Sequence, residues 1–248
     1  MRSSTRHQLK TDEFRSTTVD TLNWASENQS SLVAAAVVAA VIVAAVIGAY
    51  AYVNYRNQQG RGMLGSAIDK YNAPIRPAGQ AATPDTLSYG SAAERAKAAN
   101  AEFTQVADKY SFTESGRIAR YFEGVTLRDM GDTAGAEKQL SEVASSWDKS
   151  MAGLAKLALA GLYADTNQTA KAIDTYKQLI DHPATSVGKW TPQFELAELY
   201  TTNNQPQDAR KLYEELQKES PTSPIGQVAT QKLQALGPAP SAPPPIQP

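Results

Sequence analysis

Three glycines provide the one spacing in this sequence that matches a familiar reactive-site motif. The segment GRGMLG (residues 60–65) has the G-x-G-x-x-G pattern of dinucleotide-binding loops, in which glycines let backbone amides approach a pyrophosphate. That motif works only between a β-strand and the start of a helix. Here an apolar stretch of helical length precedes it, and no strand pattern follows. We therefore expect a flexible joint at residues 60–65 and no nucleotide site.

The residues that other catalytic or metal sites need are scarce. The chain has no cysteine, which excludes thiol chemistry, and its two histidines, His7 and His182, are far apart. With 24 Lys and Arg against 25 Asp and Glu, the chain is nearly neutral and lacks the basic patch with interleaved aromatics that nucleic-acid binding requires. We predict that the protein is not an enzyme, that it has no cofactor, metal or small-molecule substrate, and that it does not bind nucleic acid.

A long apolar stretch follows the N-terminal segment. Residues 28–55 contain no charged side chain, and LVAAAVVAAVIVAAVIGAYAYV (residues 32–53) is almost purely apolar. As a helix at about 1.5 Å per residue this stretch spans about 33 Å, enough for the hydrocarbon core of a bilayer. A signal peptide is the alternative, but its apolar core is usually about 7–15 residues long. We predict a cytosolic N-terminal segment (residues 1–30) and one transmembrane helix (residues 31–55).

The charges beside this stretch leave its orientation open. Arg56, Arg61 and Lys70 follow it, whereas Arg15 precedes it among acidic residues. Taken literally, the positive-inside rule places the large domain in the cytosol. That rule weakens when a long domain follows the span, because such domains cross the membrane largely regardless of charge.

Small residues recur every fourth position within the apolar stretch. They are Ala36, Ala40, Ala44 and Gly48, which share one face of a helix. Small side chains at this spacing let two transmembrane helices approach closely, so this face could pack against a second helix. The alternative is that alanine simply fills an Ala- and Val-rich span.

Three similar segments follow at intervals of 36 and 37 residues. They are GVTLRDMGDTAGAEKQL, AGLYADTNQTAKAIDTY and AELYTTNNQPQDARKLY, which begin at Gly124, Ala160 and Ala197. Each has a small residue, a Leu or Tyr three positions later, a second small residue twelve positions after the first, and another Leu or Tyr four positions on. The large positions are Leu127, Tyr163 and Tyr200 in the first halves and Leu140, Tyr176 and Tyr213 in the second halves. The polar turns between the halves predict a helix–turn–helix hairpin in each copy.

The spacing indicates how the hairpins pack. Two antiparallel helices approach to about 8 Å only where small side chains meet, so we expect the small residues of each hairpin to face each other. The large residues one turn on are then expected to pack between neighbouring copies. A fainter second half, with Ala99 and Phe103, lies upstream. The first copy departs from the pattern at Glu123, where the other two copies have leucine.

These segments resemble the tetratricopeptide repeat, a helix–turn–helix unit of about 34 residues. The resemblance covers residues 92–236 and implies an all-α fold, in which one N-terminal transmembrane helix is followed by a tetratricopeptide-like α-solenoid. Residues 56–91 are predicted to form a juxtamembrane helix and a Pro-rich loop. Residues 237–248 contain six prolines and are predicted to be a disordered tail.

A stack of such hairpins presents a concave wall built from the first helix of each hairpin. We predict that this wall forms a protein-binding groove lined by Ile118, Tyr121, Val125, Arg128, Leu154, Leu157, Phe194, Glu198 and Thr201. The set is mostly apolar, which suits an extended peptide or an amphipathic helix. The alternative is that these side chains pack against the upstream or closing helix of the chain itself, and the sequence leaves both open.

The order of the segments resembles one bacterial family, the ancillary subunit of the Sec translocon. Its members are single-span inner-membrane proteins with a periplasmic tetratricopeptide domain, and the lead VDTLNWASENQSSLVAAAVV, the single span and the Ala-rich repeats all match. The resemblance implies a cytosolic N-terminus and a periplasmic repeat domain. It also implies partners among translocon subunits, periplasmic chaperones and secreted clients. We expect a scaffold for protein export, with an assembly factor for a cell-division or envelope complex as the alternative.

Overall fold

The computed structural model of the protein describes residues 28–81, 83 and 86–237. Within these residues there are nine α-helices and no β-strand beyond isolated bridges. The helices are α1 (Gln29–Asn72), α2 (Ala92–Lys109), α3 (Glu114–Asp129), α4 (Thr133–Ala144), α5 (Lys149–Asp165), α6 (Thr169–Asp181), α7 (Trp190–Thr202), α8 (Pro206–Glu219) and α9 (Pro224–Ala235). The prediction of an all-α fold is confirmed. Most of the predicted N-terminal segment and nearly all of the predicted Pro-rich tail lie outside the described residues.

The chain divides into two compact units, one that ends at Tyr55 and one that begins at Arg56. The first unit contains the apolar part of α1, and this helix is long and apolar enough to cross a membrane. The predicted packing face of Ala36, Ala40, Ala44 and Gly48 is exposed on it. The use of that face by a second transmembrane helix stays a prediction.

In the second unit the helices pair as the repeats predict. α3 packs on α4, α5 on α6 and α7 on α8, while α9 closes the stack against α8. Tyr176 is buried with the small residues of its own hairpin and with Leu196 of the next one. Tyr213 is buried in the same way, with Ala229 of α9 as the contribution of the next element. Buried large side chains thus join the second and third hairpins to the elements that follow them.

The first-half tyrosines also lie between copies, as predicted. Tyr163 packs against the core cluster around Leu140 and against the one around Tyr176. Tyr200 packs against the cluster around Tyr176 and against the one around Tyr213. Each ring therefore contacts two neighbouring sections of the core.

Gly124 lies close to a large residue of the second helix of its hairpin. A Cβ atom on Gly124 would lie 2.7 Å from Cγ of Leu140, so the nearest side chain is large. The pairing of Gly124 with Ala136, which is fully buried in the same cluster as Leu140, stays a prediction. The missing side chain of Gly124 makes room for a leucine that is fully buried.

The end of α1 completes the fainter upstream copy. Leu64 and Ala67 of α1 are buried against Ala99 and Phe103 of α2. Residues 56–72 thus serve as the first helix of an additional hairpin, and α2 serves as its second helix. The sequence did not predict this hairpin because the long loop between α1 and α2 replaces the short turn and breaks the twelve-residue spacing.

The segment GRGMLG lies inside α1, so the predicted flexible joint is wrong. Gly60 is buried, and a Cβ atom there would lie 2.9 Å from Cβ of Ser115. Asn57 fixes the same crossing, because the backbone N–H of Ser115 donates to its Oδ1 at 3.0 Å. The glycine is there for close packing between α1 and the start of α3.

Candidate functional site

The predicted wall is built from α3, α5 and α7, the first helices of the three hairpins. α3 contacts α5, α5 contacts α7, and α7 contacts α9. Side-chain caps set where the first two begin: Thr113 Oγ1 accepts from the backbone N–H of Gly116 at 3.1 Å, and Asp148 Oδ1 accepts from that of Met151 at 3.2 Å. These bonds satisfy amides that the helix itself leaves unpaired. The wall is therefore a contiguous surface on helices with defined starts.

The apolar side chains of the predicted groove are all half-buried. They are Ile118, Tyr121, Val125, Leu154, Leu157 and Phe194. All of them except Leu154 also pack against a core cluster of the chain itself. Phe194, for example, lies with its ring centroid 5.9 Å from that of Tyr213. The structure brings these residues to the wall, but much of their apolar surface already has an internal partner.

Two of the three polar members of the predicted groove, Arg128 and Glu198, form cross-helix contacts. Arg128 of α3 donates to Asp165 of α5, with Nε 3.0 Å from Oδ2. Glu198 of α7 accepts a hydrogen bond from the hydroxyl of Tyr213, and it pairs with Lys232 of α9 at 2.6 Å. Thr201 is exposed. Asp165 and Lys232 thus add charged side chains beside the predicted groove residues.

Sequence reasoning missed the two partners Asp165 and Lys232. Asp165 lies 37 residues after Arg128, and Lys232 lies 34 residues after Glu198. Both intervals are close to the repeat length, so opposite charges separated by one repeat were the signal that could have identified these pairs.

Burial shifts the pKa of two groups at or behind the wall. Burial raises the pKa of the Tyr213 hydroxyl, and its hydrogen bond to Glu198 raises that pKa further. Burial also raises the pKa of the Glu195 carboxyl, helped by the charge of Glu198 and opposed by Arg128. A tyrosine held neutral in this way is a hydrogen-bond donor. Within the described residues no group of three or more His, Asp or Glu side chains could hold a metal ion.

Comparison with known families identifies the repeat. A family model described as a tetratricopeptide repeat-like domain matches residues 23–238. The chain belongs to this family. The spacing of small and large residues predicted a tetratricopeptide-like α-solenoid, and the family match confirms that prediction. Repeats of this family are typically protein-interaction scaffolds and not enzymes.

Solved structures show the same tetratricopeptide-like architecture. A tetratricopeptide repeat protein from Parabacteroides merdae superimposes with a TM-score of 0.51 at 14% sequence identity, over 72% of this chain and 60% of that chain. The nearly identical TPR-like repeats of a putative kinesin light chain from Podosopora anserina superimpose with a TM-score of 0.54 at 16% identity, over 73% of this chain and 85% of that chain. At such identities the similarity shows the fold alone. A comparison with curated proteins found no match.

Proposed function

We propose that this protein is a membrane-anchored tetratricopeptide scaffold that holds other proteins beside a protein-export channel. The observation that supports this proposal is that α1 contains both a charge-free apolar segment of membrane-spanning length and the first half of the additional hairpin. In this proposal the N-terminus is cytosolic, the helix lies in the bacterial inner membrane and the repeat domain is periplasmic. The layout of lead, span and repeats supports that orientation by its resemblance to the ancillary translocon subunit.

The proposed partners are translocon subunits, periplasmic chaperones and secreted clients in transit. A client in transit is extended and exposes apolar side chains, which suits a wall that combines half-buried apolar residues with polar ones. Leu154 and Thr201 are the groove residues best placed for such contacts. Leu154 is half-buried outside the four core clusters, and Thr201 is exposed.

Site-specific photocrosslinking in bacterial cells tests this function. A photoreactive residue at position 154 or 201 is expected to capture translocon subunits, periplasmic chaperones or secreted chains. The control position is Lys177, which is exposed on the second helix of a hairpin and outside the wall, and which should capture few of them. Capture of periplasmic proteins also requires a periplasmic repeat domain.

Two results would contradict the proposal. Equal capture from positions 154 and 177 would mean that the wall has no special role in binding. Capture of cell-division or envelope-assembly proteins, without export components, would favour the alternative function of an assembly factor.

A further inference from the structure

Two aromatic side chains are unusually exposed in the connections between hairpins. Phe112, between α2 and α3, is 89% exposed, and Trp147, between α4 and α5, is 77% exposed. Among the described residues no other large hydrophobic side chain is as exposed as these two, including those of the apolar part of α1. Large apolar groups that face water together mark an interaction surface. We call Phe112 and Trp147 the aromatic edge.

The two rings belong to one surface feature. Both line a cleft of about 290 Å³ between the start of α3 and the end of α4, together with Arg117 and Arg120 of α3 and Glu142 of α4. The guanidinium carbon of Arg117 lies 4.7 Å from the ring centroid of Trp147, a cation–π contact that holds the indole at a fixed place. The two residues of the aromatic edge therefore lie at one cleft, and Trp147 is stacked on Arg117 of α3.

Contacts within the second unit place the connection that bears Phe112 beside the residues that follow the apolar stretch. Arg56 comes directly after that stretch, and its guanidinium donates to the backbone carbonyl of Lys109 at 2.5 Å. The same guanidinium lies 4.8 Å from the ring centroid of Tyr110. Phe112 follows Lys109 by three residues, which an extended chain covers in about 10 Å. The connection that bears Phe112 is thus attached to the chain at the point where it would leave a membrane.

The chemistry of the edge fits the headgroup level of a bilayer. Tryptophan and other aromatic rings concentrate at this level, because one part of the ring system is apolar and the surroundings are partly wet. Exposed Lys109 and Lys149 lie next to the two connections and suit lipid phosphates. Asp108 and Glu142, which are also exposed, offset them. Attraction by charge is therefore weak, and the aromatic rings must provide the affinity.

We propose that Phe112 and Trp147 insert into the headgroup region of the membrane that holds α1, so that this edge of the repeat domain rests on the lipid surface. The inference rests on the membrane anchoring in the proposed function. Contact with lipid limits how the repeat domain can turn about its anchor. The predicted wall is then presented at a defined height above the membrane.

Spin labelling of the whole chain tests this placement, because the chain has no native cysteine. F112C and M130C, each labelled with a nitroxide, are reconstituted into vesicles of phosphatidylcholine and phosphatidylglycerol. Met130 lies directly after α3, the helix that begins two residues after Phe112, and it is 38% exposed. A helix of that length places it about 24 Å away, so it is the matched control. Both variants are first checked for vesicle flotation and for helix content.

The label at position 112 is expected to be accessible to oxygen and shielded from a water-soluble nickel chelate, while the label at position 130 is open to the chelate. Shielding should persist in high salt, because aromatic insertion depends little on charge. Equal chelate access at both positions, on chains that float with the vesicles, would overturn the inference and leave the anchor in place. Failure of the unmodified chain to float would overturn the proposed anchoring, and the inference with it.

The emission of Trp147 gives a second measurement that leaves Phe112 intact. In W24F/W190F this is the remaining tryptophan of the three in the chain. Lipids brominated near the headgroup should lower its emission about twofold relative to unbrominated lipids, since a ring at that level meets the bromine atoms. Unchanged emission in floated vesicles would contradict the inference.

Discussion

Glu123 occupies a core position of α3 at which the other two copies have leucine. It is 5% exposed, and its Oε1 accepts from Thr104 at 3.2 Å and from Gln139 at 3.3 Å. The guanidinium of Arg120 lies 3.6 Å from Oε2. Thr104 belongs to α2 and Gln139 to α4, so one carboxylate links three helices. Burial raises the pKa of Glu123, and Arg120 opposes that shift.

This raised pKa predicts a pH-dependent stability difference between the wild type and E123Q. The folded chain keeps the Glu123 proton at pH values at which the unfolded chain, near the ordinary value of 4.5, has released it. Protonation of Glu123 therefore stabilises the fold at low pH, and this contribution is lost as pH rises through the raised pKa. E123Q cannot ionise, so its free energy of unfolding relative to the wild type should increase from about pH 4 to about pH 7. Urea unfolding of the detergent-solubilised chain across that range measures the difference.

The control is E142Q, which removes an exposed carboxylate from the same Arg120. At pH 7 it is expected to lower the free energy of unfolding by less than about 1 kcal/mol, as surface ion pairs do. Stability curves for the wild type and E123Q that stay parallel over the whole pH range would contradict the assigned cause.

At the scale of elements, the crossing of α3 and α4 depends on one missing side chain. A Cβ atom on Gly124 would approach Leu140 Cγ to 2.7 Å and the Leu140 backbone nitrogen to 3.3 Å. The backbone contact means that rotation of the leucine side chain does not fully relieve the crowding. The two helices can accommodate the added Cβ atom only by moving apart, which disturbs the packing of the core on both sides of the crossing.

We therefore expect G124A to destabilise the hairpin by about 1–3 kcal/mol, the usual cost of overpacking a core. G161A is the matched control, because Gly161 is also inside a first helix and its Cβ would lie 3.6 Å from the flexible end of Arg128. There alanine should stabilise by up to about 1 kcal/mol, because it is the better helix former. Urea unfolding measures both variants. Equal effects would show that helix propensity, and not the crossing, decides the outcome.

At the scale of the whole molecule, the repeat domain is a row of neighbours. Each hairpin packs mainly on the next, and α9 covers the end of the row, with Ala229 buried against Tyr213 and Leu216 of α8. Lys232 and Arg210 add polar contacts between α9 and the last hairpin. In such a row the loss of a terminal element weakens its neighbours first.

A chain that ends at Glu219, and so lacks α9, should lose hydrogen-exchange protection in a graded way. Tyr213 and Leu216 become exposed, so amides of α7 and α8 should exchange faster. Amides of α2 and α3 should keep their protection, because their core around Phe103 has no contact with α9. The two ends of one molecule serve as control for each other. Uniform loss of protection would mean that the domain unfolds as one cooperative unit.

The sequence by itself determined the helical class, the apolar helix and three hairpins. These features depend on side-chain periods within a few helical turns. The same pattern recurs one repeat later, as at the equivalent residues Tyr163 and Tyr200, which strengthens the prediction. It also predicted that the tyrosines lie between copies, because a hairpin with small residues at its crossing has no other place for large ones. The groove residues were placed on the first helices for the same reason, since their helical phase follows from the buried positions.

Only the tertiary structure decided which distant segments meet. The hairpin formed by α1 and α2 depends on Ala67 and Ala99 sharing one core cluster across a long loop, and the backbone N–H of Ser115 donates to Asn57, 58 residues earlier. No local period encodes such contacts, so the glycines at 60–65 were taken for a joint. Whether an aromatic residue in a connection is covered also depends on what packs beside it. For that reason the exposure of Phe112 and Trp147 on one edge became visible only in the folded chain.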